Sequence, residues 1–244
     1  MVNPNSVIII GGGASINEGI KKGLWDKLKG KFSVGCNATY KFFDSTMTCG
    51  VDGAFFREQK AELIKLSLVV TRNHHTALKE KWDNMIIMPF STVEYYQDLK
   101  GGVYSNKLAG LFALSIGIYL IGKGDVYLVG FDGGNPSGEK DKIGKEITHF
   151  YQNEFRHRGT GKVHYYNRAN RMSEVFDRYK KVIDINIKNV SMNSRIPSFE
   201  KISYDDFLIE LDKSPNYEKE GLVAMAKEKL KPFDFNPQNN IHKL

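Results

Sequence analysis

The sequence predicts an α/β fold of Rossmann-like type. The expected architecture is a mostly parallel sheet with helices on both faces, in one domain with a C-terminal helical extension. Three observations lead there. Short apolar runs rich in β-branched residues, Val7–Ile10 and Asp125–Phe131 above all, read as strands buried on both faces. These runs alternate with helix-length stretches, the pattern of strands joined by helical crossovers. The first strand also runs directly into Gly11-Gly12-Gly13-Ala14-Ser15, a strand, glycine turn and helix start in succession.

Taken in order, Ile16 to Leu28 is predicted as the first helix, with Ile16, Ile20, Leu24 and Leu28 on one face and Gly30 ending it. Ser15 is placed to cap that helix, with Glu18 completing a capping box. Lys31–Thr39 reads as the second strand, Thr48–Phe56 as the third, and Arg57–Leu66 as the helix after it. Leu68–Thr71 and Asn84–Met88 are further strands, the latter stopped by Pro89. Tyr95–Lys107 is a polar loop. Leu108–Ile121 is an apolar helix whose Ala109, Gly110, Ala113, Ser115 and Gly117 allow close packing on a sheet. After the strand ending near Asp132, residues 140–161 are charged and weakly periodic, and a mobile flap is expected there. Asn170–Tyr179 is predicted helical, Val182–Ile187 a strand, and Asp205–Leu211 and Glu218–Leu230 helices. The domain is taken as residues 1–212, with the last helix and tail at 213–244.

Composition narrows the function. At 244 residues and 41% hydrophobic content, the chain can bury a proper core. The longest apolar run, Leu108–Ile121, falls short of the roughly 18 residues a membrane span needs, so no span is expected. No secretion signal is visible, and Cys36 and Cys49 are too few for a disulfide framework, which points to the cytoplasm. A net charge of +7 suits nucleic acid, an anionic membrane surface or a polyphosphate ligand, while the scattered lysines are equally the mark of a solvated surface with no polyanionic partner.

Ligands of open parallel sheets bind beyond the carboxyl ends of the strands. Gly11–Ser15, Asn37, Asp52 and Asp132 all fall at such ends. The glycine turn would hold a nucleotide phosphate through free amides and the positive end of a helix dipole. It is neither a Walker loop nor a complete dinucleotide fingerprint. Asn37 is read either as a base or ribose contact or as a turn residue. Asp132 is read as a ribose ligand, metal ligand or base, or as a cap on the following turn, and Asp52 carries the same alternatives. His149, His157 and His164 accompany Arg156, Arg158 and Arg168 in one basic segment. A histidine there could take a proton from an attacking hydroxyl while arginines neutralise a leaving phosphate. His149 and His157 are read as solvated loop residues, and His74 and His75 as surface residues.

Five stretches together carry a resemblance: Gly11–Ser15, Ser33–Phe42, Gly50–Phe56, Leu108–Asp132 and Asn189–Ser203. In order and spacing they resemble a superfamily that contains single-domain bacterial sialyltransferases and motility-accessory-factor glycosyltransferases. It also contains 6-hydroxymethylpterin pyrophosphokinases and many phage proteins. The resemblance implies that Gly11, Gly12, Gly13, Ala14 and Ser15 hold the nucleotide phosphate and that Asn37 contacts the nucleotide. Counted back from the Val182–Ile187 strand, His164 falls where the family has its catalytic base. Apart from the resemblance, Asp52 and Gly110 are taken as donor-site residues, and Asp132 and Arg156 as catalytic residues beside His164. Gly12 stands where the family has asparagine, and Leu108-Ala109 where it has a Ser/Thr pair. No tyrosine follows Asp132 closely. These departures point away from a cytidine monophosphate–sialic acid donor and leave a nucleotide-linked donor in general.

The expected activity is therefore a glycosyltransferase. It moves sugar from a nucleotide-sugar to a hydroxyl acceptor, with a hydroxymethylated base in phage DNA as one acceptor. Mg²⁺ is allowed but not required, and homo-oligomerisation stays open. The alternatives are an ATP- and Mg²⁺-dependent pyrophosphokinase-like transferase, or a nucleotide- or nucleic-acid-binding module without catalysis.

Overall fold

The computed structural model describes residues 2–73, 77, 79, 81–91, 99, 102–105, 108–134, 140, 147, 149–151 and 173–235. An eight-stranded sheet organises them. Its strands are β1 (Ser6–Ile10), β2 (Ser33–Cys36), β3 (Met47–Gly50), β4 (Val69–Arg72), β5 (Met85–Met88), β8 (Asp125–Val129), β9 (Asn186–Val190) and β10 (Glu200–Lys201). Their order is β10-β9-β8-β1-β2-β3-β4-β5, and every recorded pairing is parallel. A small second sheet joins β6 (Phe90–Ser91) to β7 (Val103–Tyr104). The predicted α/β, Rossmann-like class is the one observed.

The near-continuous apolar strands alternate their side chains between two layers. Val7 and Ile9 of β1, Val34 of β2, Cys49 of β3 and Leu128 of β8 face the helix α4 (Ala109–Ile121). On that same side lie Phe176 and Tyr179 of α5 (173–180) and Leu222, Ala226 and Leu230 of α7 (Lys219–Leu230). Ile8 and Ile10 of β1 with Tyr127 and Val129 of β8 face the other way. They meet Ile16 of α1 (Ile16–Lys21), Leu24 of α2 (Leu24–Lys27) and Phe207 of α6 (Tyr204–Lys213). Farther along this second face, α3 (Gly53–Leu63) packs Phe55, Phe56 and Leu63 on β4 and β5. The exposed edge of β5 is covered locally: the Phe235 amide donates to the Ile87 carbonyl at 2.6 Å, and the Ile87 amide to Asp234 Oδ1 at 2.9 Å.

Four expectations need correction. The long first helix is two short ones, because Gly23 adopts a left-handed conformation (φ 80°) and breaks the ladder. The second and third strands are shorter than predicted. Residues Asn37–Lys41 form a 3-10 turn, and β3 stops at Gly50 so that Asp52 can cap α3. The Val182–Ile187 strand lies later, at Asn186–Val190, in register with β8. The Asn170–Tyr179 helix is seen over 173–180, its earlier residues lying outside those described. Most of the segment expected to be a flap, 140–161, also lies outside them.

The sheet order makes one feature of the chain decisive. Strands β1 to β5 march outward on one side, after which the chain returns to place β8 against the free edge of β1. The order reverses there, so the carboxyl ends of β1 and β8 form the topological switch point. Ile10 and Val129 are directly paired, and their glycine turns leave the sheet side by side.

Because α7 contributes fully buried side chains to the main core, it should unfold with the sheet. Leu222→Ala should cost about 2–5 kcal/mol and lower the midpoint of one cooperative urea transition followed by circular dichroism. A second transition for α7, or an unchanged midpoint, would show that the helix is not part of this core.

Candidate functional site

The glycine turn after β1 and the turn after β8 pack against each other. The Gly11 amide donates to the Val129 carbonyl at 2.7 Å, and the Gly13 amide to the Gly130 carbonyl at 2.9 Å. A Cβ at Gly11 would lie 2.6 Å from the Gly130 oxygen. At Gly13 it would lie 2.6 Å from that oxygen and 2.5 Å from Asp132 Oδ2. Two of the three glycines are therefore required by this close approach. Gly12 faces the other way, where a Cβ would meet His149 Cδ2 at 2.7 Å and Tyr151 Oη at 3.0 Å. The Phe150 amide donates to the Gly12 carbonyl at 2.9 Å. The amides of Gly12 and Ala14 donate to no partner among the described residues.

Asp132 holds this turn in place. It is 2% exposed. The Ser15 hydroxyl donates to its Oδ1 at 2.5 Å and the Ser15 amide to its Oδ2 at 2.8 Å. Burial pushes its carboxyl above the ordinary value of 3.8, against the pull of hydrogen bonds from Ser15 and Ser191. In this arrangement Asp132 positions the turn. Ser15 accordingly makes no side-chain cap on α1, contrary to the capping-box expectation; its hydroxyl is committed to the buried carboxylate. Glu18 instead lies 3.6 Å from Lys22. The six-residue α1 also supplies far less dipole than the long helix expected.

The other predicted residues divide. Asn37 lies half-buried at the end of β2 with φ 50°, a left-handed conformation that asparagine tolerates better than most side chains. Asp52 caps α3, accepting from the Ala54 amide at 2.9 Å. It stands at the end of β3, three strands from β8, or roughly 14 Å at about 4.8 Å per strand. Asp52 and Asp132 therefore cannot ligate one metal ion. Gly110 sits under Phe131, where a Cβ would meet the ring at 2.6 Å, which lets α4 approach the switch point. No side chain caps the start of α4. The Cys36 thiol, buried beside the Ala109 carbonyl, is pushed up to about 12 and stays protonated. Arg156, His157 and His164 lie outside the described residues, as do Arg158, Arg168, His74 and His75.

Two groups went unread in the sequence. His149, expected in a solvated loop, is half-buried against Gly12, its ring 5.2 Å from that of Tyr151. The end of β9 and the loop after it also clasp the end of β8. Ser194 Oγ and Asn189 Nδ2 donate to the Phe131 carbonyl at 2.7 and 3.0 Å, and the Arg195 amide to the Asp132 carbonyl at 2.8 Å. Nothing local to Asn189–Arg195 announces that partner; the serine-rich run is the sole trace.

Among the described residues no cluster of three or more His, Cys, Asp or Glu could hold a metal, and no helix is long and apolar enough to cross a membrane. Comparison with protein-family models, curated proteins and solved structures returns no match.

The raised Asp132 carboxyl has a definite thermodynamic sign. The folded protein holds this proton more tightly than the unfolded chain, so the group's contribution to stability falls as pH rises. That contribution is fully present below about pH 4 and declines through the elevated native value. Urea unfolding of the wild type and Asp132→Asn at several pH values should show the wild type losing stability relative to the variant as pH increases. Parallel curves would mean that Asp132 titrates as an ordinary carboxylate.

Proposed function

We propose that this chain is a transferase that uses an activated nucleotide, specifically a glycosyltransferase with a nucleotide-sugar donor. One observation carries most of the support: the glycine turn, with two amides that donate to none of the described residues, lies at the topological switch point between β1 and β8. In open α/β sheets this crevice is where ligands bind. The uncapped start of the thirteen-residue α4 lies at the same edge and adds a positive field for a diphosphate.

In the proposed reaction the acceptor oxygen attacks the anomeric carbon of the donor. The bond from that carbon to the phosphate oxygen breaks, and the nucleotide leaves with the electron pair. The acceptor proton passes to an imidazole. His149 stands against the turn, and His164 is the base that the resemblance implies. Gly12 and Ala14 amides offset charge on the leaving phosphate, while holding donor and acceptor together supplies the remainder of the rate. The acceptor we favour carries a hydroxymethyl group on a DNA base, which suits the positive net charge. A metal-bridged pyrophosphoryl transfer through Asp132 and Asp52 is disfavoured by their separation.

The first test is a thermal-shift screen against CMP, UDP, GDP, ADP and ATP and their sugar conjugates, with and without Mg²⁺. A ligand at a hundred times its dissociation constant adds about 2.7 kcal/mol. Stabilisation by a sugar nucleotide without metal is expected. Stabilisation by ATP with Mg²⁺ alone would favour pyrophosphoryl transfer, and no shift with any ligand would remove the nucleotide reading.

Asn37 offers a separate check, since a left-handed residue has both a structural and a functional explanation. Asn37→Gly keeps the backbone conformation at no steric cost, whereas Asn37→Ala should lose about 1 kcal/mol. If the amide contacts the nucleotide, Asn37→Gly will keep full stability and bind the donor more weakly. Equal binding would leave Asn37 as a turn residue.

A further inference from the structure

Beside the glycine turn stands a group of rings that the phosphate site does not require. Trp25 comes from α2, Phe42 and Phe43 follow the 3-10 turn after β2, and His149, Phe150 and Tyr151 lie on Gly12. Trp25 stacks on Phe43 at 5.4 Å and 16°, and Phe42 on Tyr151 at 5.8 Å and 14°. Phe150 joins the two pairs, 5.0 Å from Phe42 and 6.0 Å from Trp25. Core aromatics such as Phe112 and Phe207 are fully buried, whereas Trp25, Phe42, Phe43 and Phe150 are half-buried. Trp25, Phe43 and Phe150 pack against the core that holds Ile8, Ile10 and Phe207, yet none of the four rings is fully buried, so the group borders solvent beside the turn.

Position selects the occupant. A nucleotide whose phosphate lies on the first βα turn extends its ribose and base toward the carboxyl end of the second strand. Here that direction leads from Gly12 past Asn37 to Phe42 and Phe43. The Phe150 amide bonded to the Gly12 carbonyl ties the rings to the turn itself. We propose that Trp25, Phe42, Phe43 and Phe150 form the stacking wall for the nucleobase of the donor. This rests on the nucleotide reading above. Stacking is tolerant of base identity, so discrimination between bases falls to edge contacts such as Asn37 rather than to the wall.

The chain has two tryptophans, so Trp82→Phe leaves Trp25 as a reporter inside the wall. In that background UDP and ADP should change Trp25 emission saturably, while inorganic pyrophosphate and ribose 5-phosphate should not. Phe42→Leu keeps an apolar side chain without a π-face. It should weaken UDP and ADP binding by about fivefold to a hundredfold, the range seen when a stacked base loses its aromatic partner. Its pyrophosphate affinity should match the parent. Phe42→Ala, checked for an unchanged melting profile, should do the same or more. If UDP or ADP stabilises the wild type but Phe42→Leu binds it equally and Trp25 is silent, the wall is overturned and the nucleotide site stands. A response to methyl glucoside in place of nucleotide would assign the wall to a sugar face, which also overturns the proposal. If no nucleotide binds the wild type, the underlying reading falls with it.

Discussion

Much of this molecule depends on a buried carboxylate and the two donors supplied by one serine. Asp132 is nearly inaccessible, and an unpaired charge there would be very costly. Ser15 meets it with its amide and its hydroxyl, across 117 residues of chain. That pair clamps the turn after β1 to the turn after β8, and those are the two turns at which the sheet order reverses. Gly11 and Gly13 have no side chains because the clamp brings backbone to within 2.6 Å of where a Cβ would be. β9 and the loop after it reinforce the same point through Asn189, Ser194 and Arg195.

The clamp also sets the electrostatics of the crevice. A bare carboxylate at this point would repel anions. Burial raises its proton affinity, and hydrogen bonds from Ser15 and Ser191 spread what charge remains. The carboxylate holds the backbone through Ser15, while the Gly12 and Ala14 amides donate to none of the described residues. Side chains thus fix the turn, and these two backbone N–H groups take no part in fixing it.

Opposite the clamp, the turn is bordered by aromatic rings. His149, Phe150 and Tyr151 close on Gly12, and the residues after β2 and in α2 extend the ring surface. The turn thus has a polar, hydrogen-bonded side and an apolar, π-rich side. The absence of a side chain at Gly12 keeps these walls in contact through the turn.

The sequence by itself determined the layers of this protein. Strands buried on both faces need unbroken apolar runs, and such runs as Val7–Ile10 and Val126–Val129 are visible without any partner. The Ala109–Ile121 helix was legible to within a residue for the same reason, and the glycine turn was legible because three glycines together are a local event. What the tertiary structure alone decided is what each polar residue does. Ser15 and Glu18 have the spacing of a helix cap, yet the hydroxyl goes to Asp132, because a buried carboxylate needs donors more than a solvated helix start does. Asp52 was one of two aspartates at strand ends and became a cap, while Asp132 became a clamp, a difference set by burial rather than by neighbours in sequence. His149 looked solvated until the fold laid it on Gly12. Apolar patterning is periodic and local, so it can be read along the chain; polar partnership is satisfied by whichever group the sheet order brings near, and that order exists only after folding.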